Sequence, residues 1–408
     1  MSTDTKLVPS PGPDTDVSWG RRLQGLGGNA RQYGIVAALI VIIALFQWLT
    51  GGKLLMANNV AALFQQNAYV MILAIGMVMV IVAGHIDLSV GSVVAFVGGI
   101  VAVSMRDWGM PWLVAVLLGV AVGALVGAWQ GFWVAYVNVP AFIVTLAGML
   151  LFRGLALVIV GETIAGLPPS FINISKGSLP NVLGFAGNSD VVTLVIGALA
   201  IAAIVVSQAR ARISLRKHRL HVEPPVVFAI KLILVAAGVG ALTVILSFSA
   251  GGTPIVLVLV GALVVAYTFV MGRTVFGRHI YAIGGNRQAA RLSGVNTRKV
   301  DFWIFVNIGA LAGVAAVVTT ARSGAAIAAA GTNYELDAIA ACFIGGAAVT
   351  GGIGRVSGAI VGALVMGVLN MGLSIMAVDP SWQMAIKGLV LLLAVAFDLM
   401  NKRRAGTQ

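Results

Sequence analysis

Long apolar runs separated by short polar turns make up almost the whole chain. They recur over 33–50, 60–83, 88–105, 112–136, 141–160, 191–207, 227–249, 254–271, 302–320, 336–352, 357–378 and 383–399, twelve segments in all. Crossing a hydrocarbon core of about 30 Å takes roughly 20 apolar residues at 1.5 Å rise each. The runs are continuous rather than alternating, so they predict membrane helices and not barrel strands. The longest polar, basic break between two of them is the stretch from Gly272 to Asp301.

Composition agrees with that pattern. With 59% hydrophobic and 10% charged residues and a mean hydropathy of +1.01, the chain has too few polar groups to cover a water-facing surface. Its positive charges fall in alternate connections. Arg21, Arg22 and Arg31 come first, then Arg210, Arg212, Arg216, Lys217 and Arg219, then Arg273, Arg278, Arg287, Arg291, Arg298 and Lys299, and last Lys402, Arg403 and Arg404. By the positive-inside rule these connections are cytoplasmic, both termini lie inside, and the loop from Gly161 to Asp190 lies outside. The net charge of +13 therefore reads as topology and attraction to anionic membrane lipids, not as nucleic-acid binding. Residues 1–32 are polar, with Pro9, Pro11 and Pro13, and read as a disordered cytoplasmic tail; 401–408 read as a basic tail after a membrane domain over 33–400.

Catalytic chemistry has little to build on. Cys342 is the single cysteine, the four histidines are scattered, and Gly51, Gly52 and Lys53 run into Leu54, so no phosphate loop forms. No catalytic residue, metal site or cofactor is expected in this chain. Gly119, Gly123, Gly127 and Gly131, with Gly345, Gly346, Gly358 and Gly362, are spaced to let membrane helices approach closely.

Two polar breaks carry candidates for a solute path or for turns. In GHIDLSVGS (84–92), Asp87 or Ser89 can cap the following helix and Ser92 lies in its first turn; TGGIGRVSG (350–358) has a similar layout with Arg355 and Ser357. The similarity suggests a weak internal repeat. Glu335 and Asp337 open another apolar run and favour its helix dipole; as an outside-facing pair they are candidates for contact with a periplasmic partner. Arg153 interrupts an apolar run and calls for a structural pairing.

The break over 272–301 contains the clearest local motif. Asn286 suits an N-cap and Gly294 the residue after a helix end, so Asn286, Arg287, Gln288, Ala289, Ala290, Arg291, Leu292 and Ser293 predict a helix of about two turns, roughly 12 Å long. Ala289, Ala290 and Leu292 would seat it in a protein groove, with Arg287 and Arg291 sharing one face.

Four segments together carry a family resemblance. GHIDLSVGS, PAFIVTLAGMLLFRG (140–154), FGRHIYAIGGNRQAARLSGV (276–295) and the run from GTNYELDAIAACFIGG to TGGIGRVSGAIVGAL resemble the permease subunit of bacterial monosaccharide ATP-binding-cassette importers, the ribose, xylose and galactose class. The resemblance extends from about residue 55 to the C-terminus and is nearest the longer, xylose or multiple-monosaccharide type. It implies an all-α polytopic permease with a Type II-like importer fold: about ten core helices plus an inserted pair near 191–250. It also implies the bacterial inner membrane, a homodimer, a periplasmic sugar-binding protein, and a separate cytosolic ATPase that holds the ATP and Mg. The segment from Asn286 to Gly294 matches the family's ATPase-coupling helix, although Gln288 stands where Glu is common. An ion-coupled secondary carrier is the alternative, and it would need acidic residues buried within spans, whereas the acids here read as helix-end residues. A membrane-embedded enzyme would need a convergent catalytic set, and the sequence offers none.

Overall fold

The computed structural model describes residues 27–220 and 222–405, with side chains described over 34–220, 222–393 and at 396. In chain order come α1 (Gly27–Leu49), α2 (Ala57–Val82), α3 (Val90–Arg106), α4 (Trp112–Ala135), α5 (Ala141–Val160), a short α6 (Pro169–Lys176), α7 (Val191–Lys217) and α8 (Pro225–Ser247). They are followed by α9 (Ile255–Arg273), α10 (Val275–Gly285), α11 (Arg287–Leu292), α12 (Thr297–Ser323), α13 (Tyr334–Ile344), α14 (Val356–Ile375) and α15 (Pro380–Ala405). Pro111, Pro140, Pro224 and Pro254 each stand immediately before a span, where proline sacrifices no intrahelical hydrogen bond. Among the described residues eight helices, α2, α4, α5, α7, α8, α9, α12 and α14, are long and apolar enough to cross a membrane. The protein is an all-α polytopic membrane protein.

Helix α2 is the axis of the bundle, and every residue from Val70 to Ala83 is buried. Helices α12, α13 and α14 pack around it. The tightest crossing is α4 against α12. A Cβ at Gly123 would lie against the Gly309 carbonyl and 2.9 Å from the Gly313 nitrogen, and one at Gly127 would strike the Phe305 carbonyl. The backbones touch there because no side chain intervenes, which supplies the attraction that lipid-solvated helices otherwise lack. Gly345 meets Gly358 in the same way where α13 crosses α14.

Two stretches of the buried bundle are interrupted by non-helical backbone. The run expected over 88–105 is helical as α3, which has 17 residues, and residues 85–89 leading into it carry no regular structure. The run predicted as a helix over 336–352 contains only α13, whose 11 residues span about 16 Å, and 345–355 then continue as turns and extended chain. The second stretch is therefore half helix and half irregular backbone, whereas the first adds a short irregular lead to α3. The first turns of α3 and α13 meet inside the bundle, where Gly91 packs against Gly331 and Glu335.

Helices α7 and α8 pack on each other and reach the core mainly through α8 on α2. Their far end is fixed by Asp190, whose Oδ2 accepts from Thr193 N (2.9 Å) and Thr193 Oγ1 (2.6 Å), while Thr253 N donates to Thr193 Oγ1 (2.9 Å). The basic stretch Arg210–Lys217, expected in a loop, instead forms the last turns of α7; positive side chains suit a helix C-terminus. The terminal helices likewise run past the tail boundaries drawn from composition: α1 begins at Gly27 and α15 continues to Ala405, while 1–26 and 406–408 lie outside the described residues.

Candidate functional site: a capped helix joined to an interrupted span

Local sequence sets the geometry of α11. Asn286 has extended backbone and its Oδ1 accepts from Ala289 N at 2.9 Å, while Gly294 takes φ +86° after the last turn. The six-residue helix is thereby closed at both ends. Ala290 is buried against the rest of the chain, Gln288 and Arg291 are exposed, and Leu292 is 90% exposed. An apolar side chain held that far out on a capped helix is a contact awaiting a partner surface.

Arg287 is exposed as well but also reaches back into the bundle. Its guanidinium forks onto Asp301 near the start of α12, with Nη1 to Oδ2 at 2.6 Å and Nη2 to Oδ1 at 3.2 Å. Nη2 also lies 2.9 Å from His85 Nε2, which is 3.2 Å from Asp301 Oδ1. Arg287 thus stays exposed beside Arg291 while the buried carboxylate of Asp301 captures its guanidinium. Beside this cluster, a cavity of about 900 Å³ opens between Gly84, His85, Asn138, Pro140, Arg287 and Asp301.

His85 begins the extended segment of the first interrupted span. Asp87 and Ser89 do not cap α3 in the expected manner: the Asp87 Oδ1 accepts from Ser89 N (2.8 Å) and Ser89 Oγ (2.6 Å), and Ser89 stands before α3 without a side-chain cap bond. Both are buried, as is Ser92. Gln130 of α4 donates to Ser89 Oγ at 2.6 Å. Arg355 and Ser357 are exposed and line a separate cavity of about 430 Å³ with Tyr281 and Ile353. The two sets of path candidates are thus not brought together by side chains. Their segments do meet through backbone: Gly352 N donates to Val82 O at 2.8 Å, and Gly351 packs on Gly84.

The second interrupted span is gripped by α10. Tyr281 donates its hydroxyl to the Gly354 carbonyl at 2.6 Å; burial raises the phenol above its ordinary pKa, so it stays a donor. At the other end of this span Arg153 Nη1 donates to the carbonyls of Ala328 (3.0 Å) and Ala330 (2.7 Å). This is the structural pairing its sequence position demands.

Glu335 and Asp337 require a correction. The segment 324–333 folds back into the bundle, so Tyr334 stacks on Tyr69, half-way along α2, with ring centroids 3.6 Å apart. Asp337 is buried, accepting from Tyr69 Oη at 2.7 Å and lying 3.3 Å from Lys387 Nζ of α15. It is no surface for a soluble partner, and Glu335 packs over Gly91. The acids do lie near helix starts, but Asp87, Asp190, Asp301 and Asp337 are all buried there, against the expectation that the bundle lacks buried acids. His85, Asp301, Tyr281, Tyr69 and Lys387 were missed because each pairs with a residue distant in sequence or on another element. The detectable signal was a charged or polar side chain at the edge of an apolar run.

Among the described residues no group of three or more His, Cys, Asp or Glu could hold a metal ion. A membrane bundle with two interrupted stretches, one tied to the capped helix α11 through Arg287 and His85 and the other to α10 through Tyr281, suits a transport permease. The chain matches the family described as the branched-chain amino acid transport system / permease component over residues 59–395, and it belongs to that family. It is 41% identical over 385 residues to the xylose transport system permease protein XylH of Escherichia coli, covering 92% of this chain and 94% of that protein. The xylose transport system permease protein of Haemophilus influenzae is 39% identical over 378 residues, covering 92% and 98%. The ribose import permease protein RbsC of Escherichia coli is 34% identical over 367 residues, covering 90% and 92%. No solved structure matches the chain.

Proposed function

We propose that the protein is the membrane-spanning subunit of an ATP-driven monosaccharide importer of the bacterial inner membrane, with xylose as its leading substrate. The observation that carries this reading is likeness to xylose permeases along nine-tenths of the chain, together with a docking helix that leaves Leu292 bare. In this reading two copies of the permease form the pathway, a cytosolic ATPase seats α11 of each, and a periplasmic sugar-binding protein delivers the solute to the opposite face. ATP and Mg belong to the ATPase, and this chain contributes no chemistry of its own. ATP-driven closure of the ATPases moves the α11 helices together, and the interrupted spans relay the movement to the centre of the bundle.

The test is reconstitution in liposomes with the cognate ATPase and sugar-loaded binding protein. ATP-dependent uptake of labelled xylose, together with ATPase stimulation by the loaded binding protein, is expected. An Arg291→Glu variant, altering an exposed residue of α11, lowers both. Uptake that proceeds without ATP would sink the proposal in favour of an ion-coupled carrier.

A further inference from the structure

Helix α11 has few means of pulling on the bundle. It is six residues long, and Ala290 is its one buried side chain. Its side-chain hydrogen bonds beyond its own cap come from Arg287, and they reach two different elements: Asp301 on α12 and His85 at the head of the extended segment 85–89.

The two targets differ in how easily they move. Asp301 belongs to a helix locked to α4 by direct backbone contact at Gly309 and Gly313. Residues 85–89 form no strand ladder; backbone bonds hold only their ends, His85 N to Val80 O at 3.0 Å and Val93 N to Ser89 O at 2.9 Å, and between them the contacts are side-chain ones: Thr145 Oγ1 to Ile86 O at 3.4 Å, Gln130 to Ser89, and His85 Nε2, which accepts from Arg287 in one tautomer or donates to Asp301 in the other. The cavity beside them leaves room for displacement.

We propose that Arg287, Asp301 and His85 are positioning residues that form the link by which movement of α11 shifts the interrupted span 85–106, and thereby couples ATP hydrolysis to opening of the path. This rests on the reading of α11 as the ATPase-docking helix. Arg287 is the side chain that travels with α11. The Asp301 side chain, 4% exposed, holds the guanidinium in a two-point fork that transmits direction as well as force. His85 passes the displacement to Asp87 and Ser89. A packing contact would resist compression alone, whereas charged hydrogen bonds also resist being pulled apart.

The experiment uses the reconstituted complex of permease, ATPase and xylose-loaded binding protein. Three quantities are read: permease co-purifying with the ATPase, the ratio of stimulated to basal ATP hydrolysis, and xylose taken up per ATP. Asp301→Asn keeps the shape and removes the charge. It is expected to assemble in wild-type amount while uptake per ATP falls at least about fivefold, the lower end of a typical coupling between sites. Arg287→Lys keeps the charge without the fork and falls between. Arg287→Glu combined with Asp301→Arg restores the pair in reverse and recovers most of the coupling that either single change loses, which a merely structural role would not predict.

Wild-type coupling in Asp301→Asn, or a double reversal no better than its singles, overturns the proposal. Should Asp301→Asn fail to accumulate, His85→Leu carries the test, because it leaves the Arg287–Asp301 pair in place and removes only the step to the interrupted span; full coupling in that variant also overturns it. A wild-type complex with no stimulation by the loaded binding protein removes both this inference and the proposed function, so the two failures are told apart.

Discussion

Leu292 offers the cleanest separation of docking from folding. Its side chain is 90% exposed, so trimming it to alanine removes almost nothing from the packing of the isolated permease. Surface changes of this kind alter stability by less than about 0.5 kcal/mol. In the docked state the same side chain would be enclosed by the ATPase. Leu→Ala deletes three carbons at about 0.8 kcal/mol each, so the loss is about 2.4 kcal/mol if burial is complete, or about fifty-fold in dissociation constant. The assay is a binding titration of detergent-purified permease against the isolated ATPase, with thermal melting of the permease alone as control. The expected result is an unchanged melting temperature and a dissociation constant weakened by more than tenfold. Binding within about twofold of wild type would refute the reasoning, because it would mean that the most exposed apolar group on α11 does not enter the interface.

Three further perturbations test the architecture behind that helix. Arg153→Leu strands the carbonyls of Ala328 and Ala330 at about 1–3 kcal/mol each; a lower melting temperature and faster labelling of a cysteine placed at Ala330 are expected, and unchanged labelling would count against the clamp. Gly123→Ala drives a Cβ into the backbone of Gly309 and Gly313 and is expected to cost about 1–3 kcal/mol, read by thermal melting, whereas Gly261→Ala, with open space around it, stays neutral or gains up to about 1 kcal/mol. Tyr281→Phe removes the bond to Gly354 O and weakens the hold on the second interrupted span by about 1 kcal/mol. Lower xylose uptake per ATP with normal ATPase binding is expected, and normal uptake would show that this contact transmits nothing.

What the sequence made legible is what local chemistry determines. Asn286 and Gly294 announce the ends of α11 because a cap is a contact three residues long, and the glycines of α4 announce its crossing with α12 because no larger residue fits between two touching backbones. The second interrupted span was hidden for a physical reason. Hydropathy reports whether a segment tolerates lipid or a packed interior, and does not report whether its backbone is helical. Residues 345–352 therefore looked like a continuation of α13, whereas the break at 84–92 was visible as a polar interruption. Treating α13 as a full crossing put Asp337 at the outer mouth, when the Ala- and Gly-rich stretch before Tyr334 had already carried it inside. The inward pairing of Arg287 was not legible because its partner Asp301 lies on the next helix, where no helical spacing could reveal it.

The buried acids found in this way bear on the choice between an ATP-driven importer and an ion-coupled carrier. A coupling-ion site needs carboxylates whose charge is left for the ion to satisfy. Asp301 is held by a forked guanidinium and Asp337 by an ammonium and a phenol, so among the described residues two of the four buried aspartates already have resident cations, and Asp190 caps α7 at its outer end through Thr193. Asp87 is satisfied differently, by the N–H and hydroxyl of Ser89, on the segment whose head is tied to α11 through His85. The ionic groups in this bundle join elements to one another, and their chain of contacts begins at the helix on which an external motor would act. That arrangement suits energy entering as movement at α11 better than energy entering as an ion at the centre.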